Sequence, residues 1–425
     1  MNSGARGQRA AFVCITTLFF AWGFITVTVD PLIAALKAIF RLSYAEVMLT
    51  QFAFFLAYGV VSLPAASLVR RIGYPNSIVA ALIIMIAGCL VVPLATHVQT
   101  FALVLVALFI IASGITILQV AANPLAAELG PPAGSHFRLT LSQAFNSLGT
   151  AIAPYVVSSL LLAGGIFAAE EGAATTAAQR SESLRNIDLA FVVIAALIGL
   201  LAAFIWSVRG RLKDAAPLLA AGQDTSIGRA LRSPWALLGA AAIFLYVGAE
   251  VSIGSLMTNF LHQNDVFGVS LKQAGKLVSI YWSGAMVGRF IGSALLTRVS
   301  AGRLLGAAAA CAALLCLTVR LTPGSAAGVA ALSVGLMNSI MFPVIFTLTL
   351  ERSTASDAAT SGLLCMAIVG GAFLPRLAGH IADVASLRAA YLVPLLAYLC
   401  ISVFGFAAAR ARPAAAHAAA GGVAH

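Results

Sequence analysis

The feature that most limits what this chain can become is a rhythm. Apolar stretches of about 20 residues recur from one end to the other, separated by short polar breaks. Twenty residues of helix rise about 30 Å, the thickness of a bilayer's hydrocarbon core. Inside that core every backbone N–H and C=O must find its partner within its own segment, so such stretches cross as helices. The predicted spans, numbered 1 to 12 in chain order, are 11–36, 46–69, 76–96, 100–127, 138–164, 188–208, 235–262, 272–298, 303–321, 325–350, 358–384 and 389–410. Only two hydrophilic breaks are long, 165–187 and 209–234. The expected architecture is an all-α membrane protein of twelve transmembrane helices. A six-helix bundle over 1–208 is followed by a cytoplasmic linker over 209–234, a second six-helix bundle over 235–412 and an irregular Ala/Gly-rich tail over 413–425.

Composition closes off the soluble alternative. Hydrophobic residues make up 61% of the 425 and charged residues only 9%, against roughly 25% charged in soluble proteins. The net charge of +11 does not indicate a nucleic-acid partner, because the basic residues are scattered through the breaks instead of lining one face with polar or aromatic readers. Their distribution reports orientation. Arg6, Arg9, Arg70, Arg71, Arg138, Arg209, Arg211, Lys213, Arg229, Arg232, Arg298, Arg303, Arg352, Arg410 and Arg412 all fall on the side shared with the N-terminus, and the opposite side holds about half as many. Both termini are therefore expected in the cytoplasm. The six cysteines lie inside apolar runs with no CxxC pair, which points to neither a metal site nor a disulfide framework. Arg6 and Arg9 precede an apolar stretch without a convincing cleavage site, so span 1 is expected to stay as an anchor.

The two halves repeat each other. Asp30 in span 1 and Glu250 in span 7 stand 220 positions apart. QVAANP (119–124) in span 4 matches NSIMFP (338–343) in span 10, an amide, four residues, then proline, at a distance of 219. Pro154 and Pro375 are 221 apart, and each follows a glycine (Gly149, Gly370) five residues earlier. A nearly constant offset indicates two parallel repeats, an arrangement in which substrate is held near mid-membrane.

Polar groups inside spans are the informative ones, because each costs several kcal/mol unless it is partnered or faces a wet cavity. Asp30 sits within TVTVDPLIAAL, and Pro31 leaves a backbone carbonyl one turn back without its helical partner. A buried carboxylate beside an opened helix can take up a proton or a cation. Glu250, in YVGAEVSIGS, is the second buried acid. Gln119 and Asn123 are four apart on one face of span 4, Gln143 and Asn146 three apart on one face of span 5, and Asn338 is the counterpart of Gln119. An amide both donates and accepts, as a sugar hydroxyl does, so this set fits a neutral polyol better than arginines would. Trp282, with Tyr281 and Trp22, offers flat apolar faces for a pyranose ring. Arg289 and Arg376 are intramembrane cations that must pair with acids or carbonyls. HExxH, GxxxxGK[ST] and GxSxG are all absent from the sequence. No enzyme, metal site or cofactor is expected, and active transport would have to draw on an ion gradient.

The stretches LSYAEVMLTQFAFFLAYG (42–59), ASGITILQVAANPLAAELGPP (112–132), FRLTLSQAFNSLGT (137–150), YWSGAMVGRFIGS (281–293) and SGLLCMAIVGGAFLP (361–375) resemble the fucose–galactose–glucose:proton symporters of the major facilitator superfamily, most closely the glucose/galactose branch. The resemblance implies the major facilitator fold of two six-helix bundles, alternating access, and sugar entry coupled to a cation, usually H+. It implies a multi-pass monomer in a bacterial inner membrane, with a monosaccharide and membrane lipid as its partners. The family's span 1 acid matches Asp30, and its span 5 amides match Gln143 and Asn146. Fucose-type members carry ETAANP where this chain has Gln119, and an amide where it has Glu250. Relatives also read Asn-Asp at the span 1 acid, with proline three or four residues later, where this chain has Val29, Asp30 and Pro31. The expected assignment is import of glucose or galactose, with Asp30 and Glu250 as coupling acids and Gln119, Asn123, Gln143, Asn146, Glu250, Trp282 and Asn338 contacting the sugar. Na+ coupling, an amino sugar such as N-acetylglucosamine, and an uncoupled facilitator or exporter remain the alternatives.

Overall fold

A computed structural model describes residues 3–27, 44–161, 177–215 and 227–414, and no strand occurs among them. The helices overlap the predicted spans, with two differences. Span 1 is predicted to reach residue 36, and its residues 28–36 lie outside the described residues; span 6 begins at Ala177, inside the break expected over 165–187. Ser3–Val27 is span 1, Phe101–Glu128 span 4, Ser135–Leu161 span 5, Ala177–Ala215 span 6, Pro234–His262 span 7, Leu271–Leu295 span 8 and Ala301–Leu321 span 9. Spans 2 and 3 run together as Tyr44–Val98, divided at Gly73. Gly73 has φ +79°, a backbone state that L side chains avoid, so the glycine lets the chain reverse there within one residue.

Spans 10, 11 and 12 are each interrupted. Span 10 is Ser325–Asn338 and then Met341–Arg352. Pro343 has no N–H for the Ser339 carbonyl four residues earlier, and the helix breaks there. Span 11 passes through a 3₁₀ turn at Ala367–Val369 between Asp357–Met366 and Gly370–Val384, and span 12 comprises Leu387–Ala390 and Leu392–Arg410. Ser270 and Gln273 form a reciprocal capping box that starts span 8.

Among the described residues, eight helices are long and apolar enough to cross a membrane, the joined spans 2 and 3 counting as one. Spans 1, 5 and 8 fall below that mark. In span 1 the apolar stretch is the shorter Ala10–Ile25. Span 5 carries Ser142, Gln143, Asn146 and Ser147, and span 8 carries Lys276, Ser279, Ser283 and Arg289. In span 8 that polar load lowers the hydropathy of the whole helix, and it marks a helix with something to hold.

The described residues cluster into two compact units, Met1–Ala122 with Phe145–Ala216, and Asn123–Ala144 with Pro217–His425. The hairpin joining spans 4 and 5 thus packs with the second unit, although it belongs to the first six spans in sequence. Ser135 and His136 bond to Thr347 and Glu351, which explains that placement. The stretch expected to link the halves, 209–234, is helical to Ala215 and carries a short helix, Ile227–Arg232. Residues 216–226, and the tail from 415 onward, lie outside the described residues.

Within each unit small residues let helices touch backbone to backbone, as membrane helix packing favours. In the first unit a Cβ at Gly149 would overlap the Phe20 carbonyl, and one at Gly23 the Asn146 carbonyl, so spans 1 and 5 meet in direct contact. In the second unit a Cβ at Gly370 would overlap the Phe244 carbonyl, so spans 7 and 11 meet the same way. Gly149 and Gly370 are the repeat-equivalent pair seen in the sequence, and they do the same job in each half. Charged residues near helix ends cap carbonyls. Arg138, buried, donates to the carbonyls of Ala127, Gly130 and Pro131 where span 4 ends. Arg352 does likewise for Ala408 and Ala411 at the end of span 12.

Candidate substrate and coupling site

In the first unit, Gln119 is 6% exposed and its Nε2 donates to the Tyr58 hydroxyl at 2.6 Å. The second unit repeats the arrangement: Asn338 is fully buried and its Nδ2 donates to the Tyr281 hydroxyl at 2.7 Å. In both cases an amide on the fourth helix of its half meets a tyrosine on the second. The sequence pairs the amides, and the structure adds the tyrosines.

Asn123 and Gln143 come together across spans 4 and 5, Gln143 Nε2 donating to Asn123 Oδ1 at 3.3 Å. Both are buried, at 0% and 5% exposure. Asn146, on the same helix face as Gln143, turns instead to span 1, where its Nδ2 donates to the Phe19 carbonyl at 3.0 Å. That bond ties span 5 to span 1 through one amide N–H and leaves the Asn146 Oδ1 acceptor outside it.

Glu250 accepts a hydrogen bond from the Tyr246 hydroxyl at 2.7 Å, one turn back on span 7. Arg289 of span 8 stands within electrostatic reach of both. Its Nε also donates to the Ser339 carbonyl at 3.1 Å, the carbonyl that Pro343 deprives of a helical donor. One intramembrane cation therefore balances a buried acid and caps a broken helix, immediately beside Asn338.

Several buried polar atoms here have hydrogen-bonding capacity to spare. Among the described residues, Asn123 Nδ2 and Asn338 Oδ1 make no hydrogen bond. The Tyr398 hydroxyl stands close to Asn338 without completing one. Such atoms cost about 1–3 kcal/mol each when left so. A site that must bind and release hydroxyl groups needs donors and acceptors that are not fully engaged beforehand.

Trp282 is 48% exposed and meets Tyr281 edge-on, with ring centroids 5.1 Å apart at 86°. Tyr281, its edge-on neighbour, is the hydroxyl partner of Asn338. Trp22 differs: it is 6% exposed and packs against Phe19, with ring centroids 5.3 Å apart. Arg376 is exposed on span 11. Asp30, the first coupling acid, lies outside the described residues, as do Val29 and Pro31. Sequence reasoning missed Tyr58, Tyr246 and Tyr398, because a tyrosine in an apolar span reads as packing until its hydroxyl's partner is known. The one legible signal was the spacing of Tyr246 and Glu250, four apart on a helix face.

Known proteins agree with this picture. Residues 11–364 match the profile of the Major Facilitator Superfamily. A glucose/galactose transporter of Brucella abortus biovar 1 (strain 9-941) is 43% identical over 411 residues, covering 95% of each chain. The L-fucose-proton symporter of Escherichia coli (strain K12) is 28% identical over 416 residues, 94% of this chain and 93% of that one. The crystal structure of the major facilitator transporter FucP in the outward conformation matches with a TM-score of 0.85 at 26% identity, covering 95% of this chain and 100% of that chain. With twelve spans in two parallel repeats, a profile match over most of its length and relatives of this kind, the chain belongs to the major facilitator superfamily and, within it, to the fucose–galactose–glucose group.

Proposed function

We propose that this protein is a carrier, not an enzyme, that imports a neutral monosaccharide, glucose or galactose first, by symport with H+ across a bacterial inner membrane with both termini in the cytoplasm. One observation carries the choice of substrate class. The buried polar groups of the candidate site are amides and phenols, of which Asn123 Nδ2 and Asn338 Oδ1 make no hydrogen bond among the described residues. Uncharged groups with spare donors and acceptors suit hydroxyls. A phosphorylated or acidic sugar would call for unengaged arginine, whereas Arg289 is already committed to Ser339 and to the charge of Glu250. The names of the relatives, glucose/galactose transporter and L-fucose-proton symporter, point the same way.

In this reading Gln119, Asn123, Gln143, Asn146 and Asn338 hold hydroxyls, and Trp282 packs on the ring. Asn146 also ties span 5 to span 1 through the Phe19 carbonyl. Asp30 is the proton carrier. Glu250, flanked by Tyr246 and Arg289, is the second acid and couples or contacts the sugar. The deciding experiment is uptake of labelled glucose into proteoliposomes under an imposed pH gradient or an imposed Na+ gradient, with wild type and Asp30→Asn. Accumulation driven by the pH gradient in wild type, with the variant retaining only counterflow, is the expected result. Accumulation that follows Na+ would keep the site and change the ion. Equal exchange in both proteins with no accumulation under either gradient would overturn coupling and make this a facilitator. Unlabelled galactose and N-acetylglucosamine as competitors would rank the sugars.

A further inference from the structure

The hairpin between spans 4 and 5 is held against the second piece of span 10 by bonds that converge on His136 and Glu351. His136 Nε2 lies 3.0 Å from Glu351 Oε1, and its Nδ1 lies 2.6 Å from the Thr347 hydroxyl. Ser135 Oγ donates to the same Glu351 oxygen at 3.1 Å. A carboxylate can only accept, so Nε2 carries a proton. Thr347 Oγ1 can donate to Nδ1 or, with its own proton on the Pro343 carbonyl at 2.8 Å, accept from it. The ring is thus satisfied neutral or as a cation, but only the cation adds an ion pair with Glu351.

A second contact of the same hairpin has the same sign. Glu128, the last residue of span 4, is within hydrogen-bonding reach of Asp357 in the first turn of span 11. Two carboxyls share a hydrogen bond only while one of them holds a proton, and once both are ionised they repel. The other charged groups nearby do not reverse this. Arg138, which faces Glu128, is spent on the carbonyls of Ala127, Gly130 and Pro131. Arg352 donates to the other oxygen of Glu351 at 3.0 Å, so that carboxylate keeps a cation beside it when His136 is neutral. Arg229 and Arg232 are exposed on the short helix that packs against the start of span 11. Arg410 and Arg412 are exposed at the end of span 12, where the Ala414 N–H donates to the Glu351 carbonyl. Water screens these four.

Residues 123–144 are the stretch of the first six spans that packs in the second unit. Spans 4 and 5 run from it to Gln119 and Asn146, so a cycle that moves one six-span bundle against the other has to break and remake these contacts. We propose that this hairpin is an acid-strengthened latch: protons on His136 and on the Glu128–Asp357 pair fasten it to spans 10 and 11, and their loss as pH rises releases it. Docked Glu351 favours the imidazolium, so that contribution is complete at low pH and lost as pH rises, and the shared carboxyl proton is lost in the same direction. The use of the latch rests on the carrier reading above. With both termini in the cytoplasm the hairpin lies on that side, and protons arriving with the sugar act there as a brake on further opening.

The test is hydrogen exchange by mass spectrometry on the purified full-length protein in micelles, without sugar, corrected for the chemical effect of pH on the exchange rate. It compares about pH 6 with about pH 8, the interval in which histidine changes charge. A partly exposed ion pair is worth about fivefold, so protection at the start of span 5 should fall about fivefold from the lower pH to the higher. The double substitution His136→Gln, Glu128→Gln puts amides, which bond without a titrating proton, at both contacts, and it should make protection equal at the two pH values. Each single substitution should flatten the profile part of the way, which keeps the test sound if the double variant fails to fold. The start of span 8, held by the capping box of Ser270 and Gln273, should show no such dependence. Wild-type protection that is equal at both pH values or greater at the higher one, or a dependence that survives in the variants, would overturn the latch. No sugar and no gradient enter the measurement, so the latch and the transport reading fail separately.

Discussion

Replacing Arg289 by methionine tests whether the broken tenth span depends on a side chain from its neighbour. Pro343 cannot donate to the Ser339 carbonyl, and Arg289 Nε supplies the missing donor at 3.1 Å. Ser339 is 3% exposed, so water is a poor substitute. A hydrogen bond from a charged donor contributes about 1.5–3 kcal/mol, and a buried acceptor left empty costs about 1–3 kcal/mol. These figures describe one and the same loss, so Arg289→Met should destabilise the protein by about 2 kcal/mol. Methionine keeps most of the stem's packing, which confines the change to the polar end.

The shared carbonyl also predicts a coupling between the two residues. Pro343→Ala restores an N–H one turn beyond Ser339, so in that background the carbonyl no longer needs the arginine. Arg289→Met should then cost less by about 1 kcal/mol or more, a coupling expected only of groups sharing a partner. If Arg289 instead served mainly to balance Glu250, the loss would be absorbed by Glu250→Gln and not by Pro343→Ala. The assay is unfolding by SDS in mixed micelles, followed by tryptophan fluorescence, on wild type, single and double variants. An equal cost of Arg289→Met with and without Pro343 would refute the capping role.

The glycine contacts predict a matched pair of effects. Gly149→Ala and Gly370→Ala should each cost about 1–3 kcal/mol by the same unfolding assay, since a Cβ at either would overlap a neighbouring carbonyl, while Gly199→Ala, with only Ile86 at 4.0 Å, should be neutral or slightly stabilising. Tyr58→Phe and Tyr281→Phe remove the hydroxyls that hold Gln119 and Asn338 in place, and each should raise the KM for sugar uptake about fivefold with little change in folding. His136 spans Thr347 at 2.6 Å and Glu351 at 3.0 Å. His136→Ala should therefore speed hydrogen exchange at the start of span 5 about tenfold, measured by mass spectrometry, and unchanged exchange would show that the packing holds without these bonds.

Much of the architecture is legible because the bilayer simplifies the code. Span positions follow from apolar length alone, and the proline and glycine offsets give the repeat, which reappears as backbone contact at Gly149 and Gly370. The buried amides are legible for the same reason: a polar side chain amid Leu, Ile and Val stands out. What the sequence hides is partnership. Nothing local says that Gln119 reaches back 61 residues to Tyr58 or that Asn338 reaches Tyr281, because tyrosine fits an apolar helix whether or not its hydroxyl is engaged. Nor does anything local say that Asn146 reaches 127 residues back to the Phe19 carbonyl. The attachment of the 123–144 hairpin to the second unit is equally invisible, since it rests on bonds between His136 and residues more than 200 positions away.

The polar groups divide by chemistry in a way that bears on mechanism. Arginines near helix ends, Arg138 and Arg352, are spent on carbonyls that the helices cannot satisfy themselves. Arg289 does the same at an internal end, the break in span 10. Idle buried atoms occur in both classes among the described residues, Arg352 Nε and Glu128 Oε1 as well as Asn123 Nδ2 and Asn338 Oδ1. A membrane protein that only needed to fold would be better served by apolar residues at those positions, because each idle buried atom costs about 1–3 kcal/mol. On the proposed reading a sugar completes the two amide atoms in part of the cycle, with Asn123 oriented by Gln143 and Asn338 by Tyr281. A carrier must also let that ligand go, and neutral hydrogen bonds, weaker than charge-assisted ones, suit both binding and release.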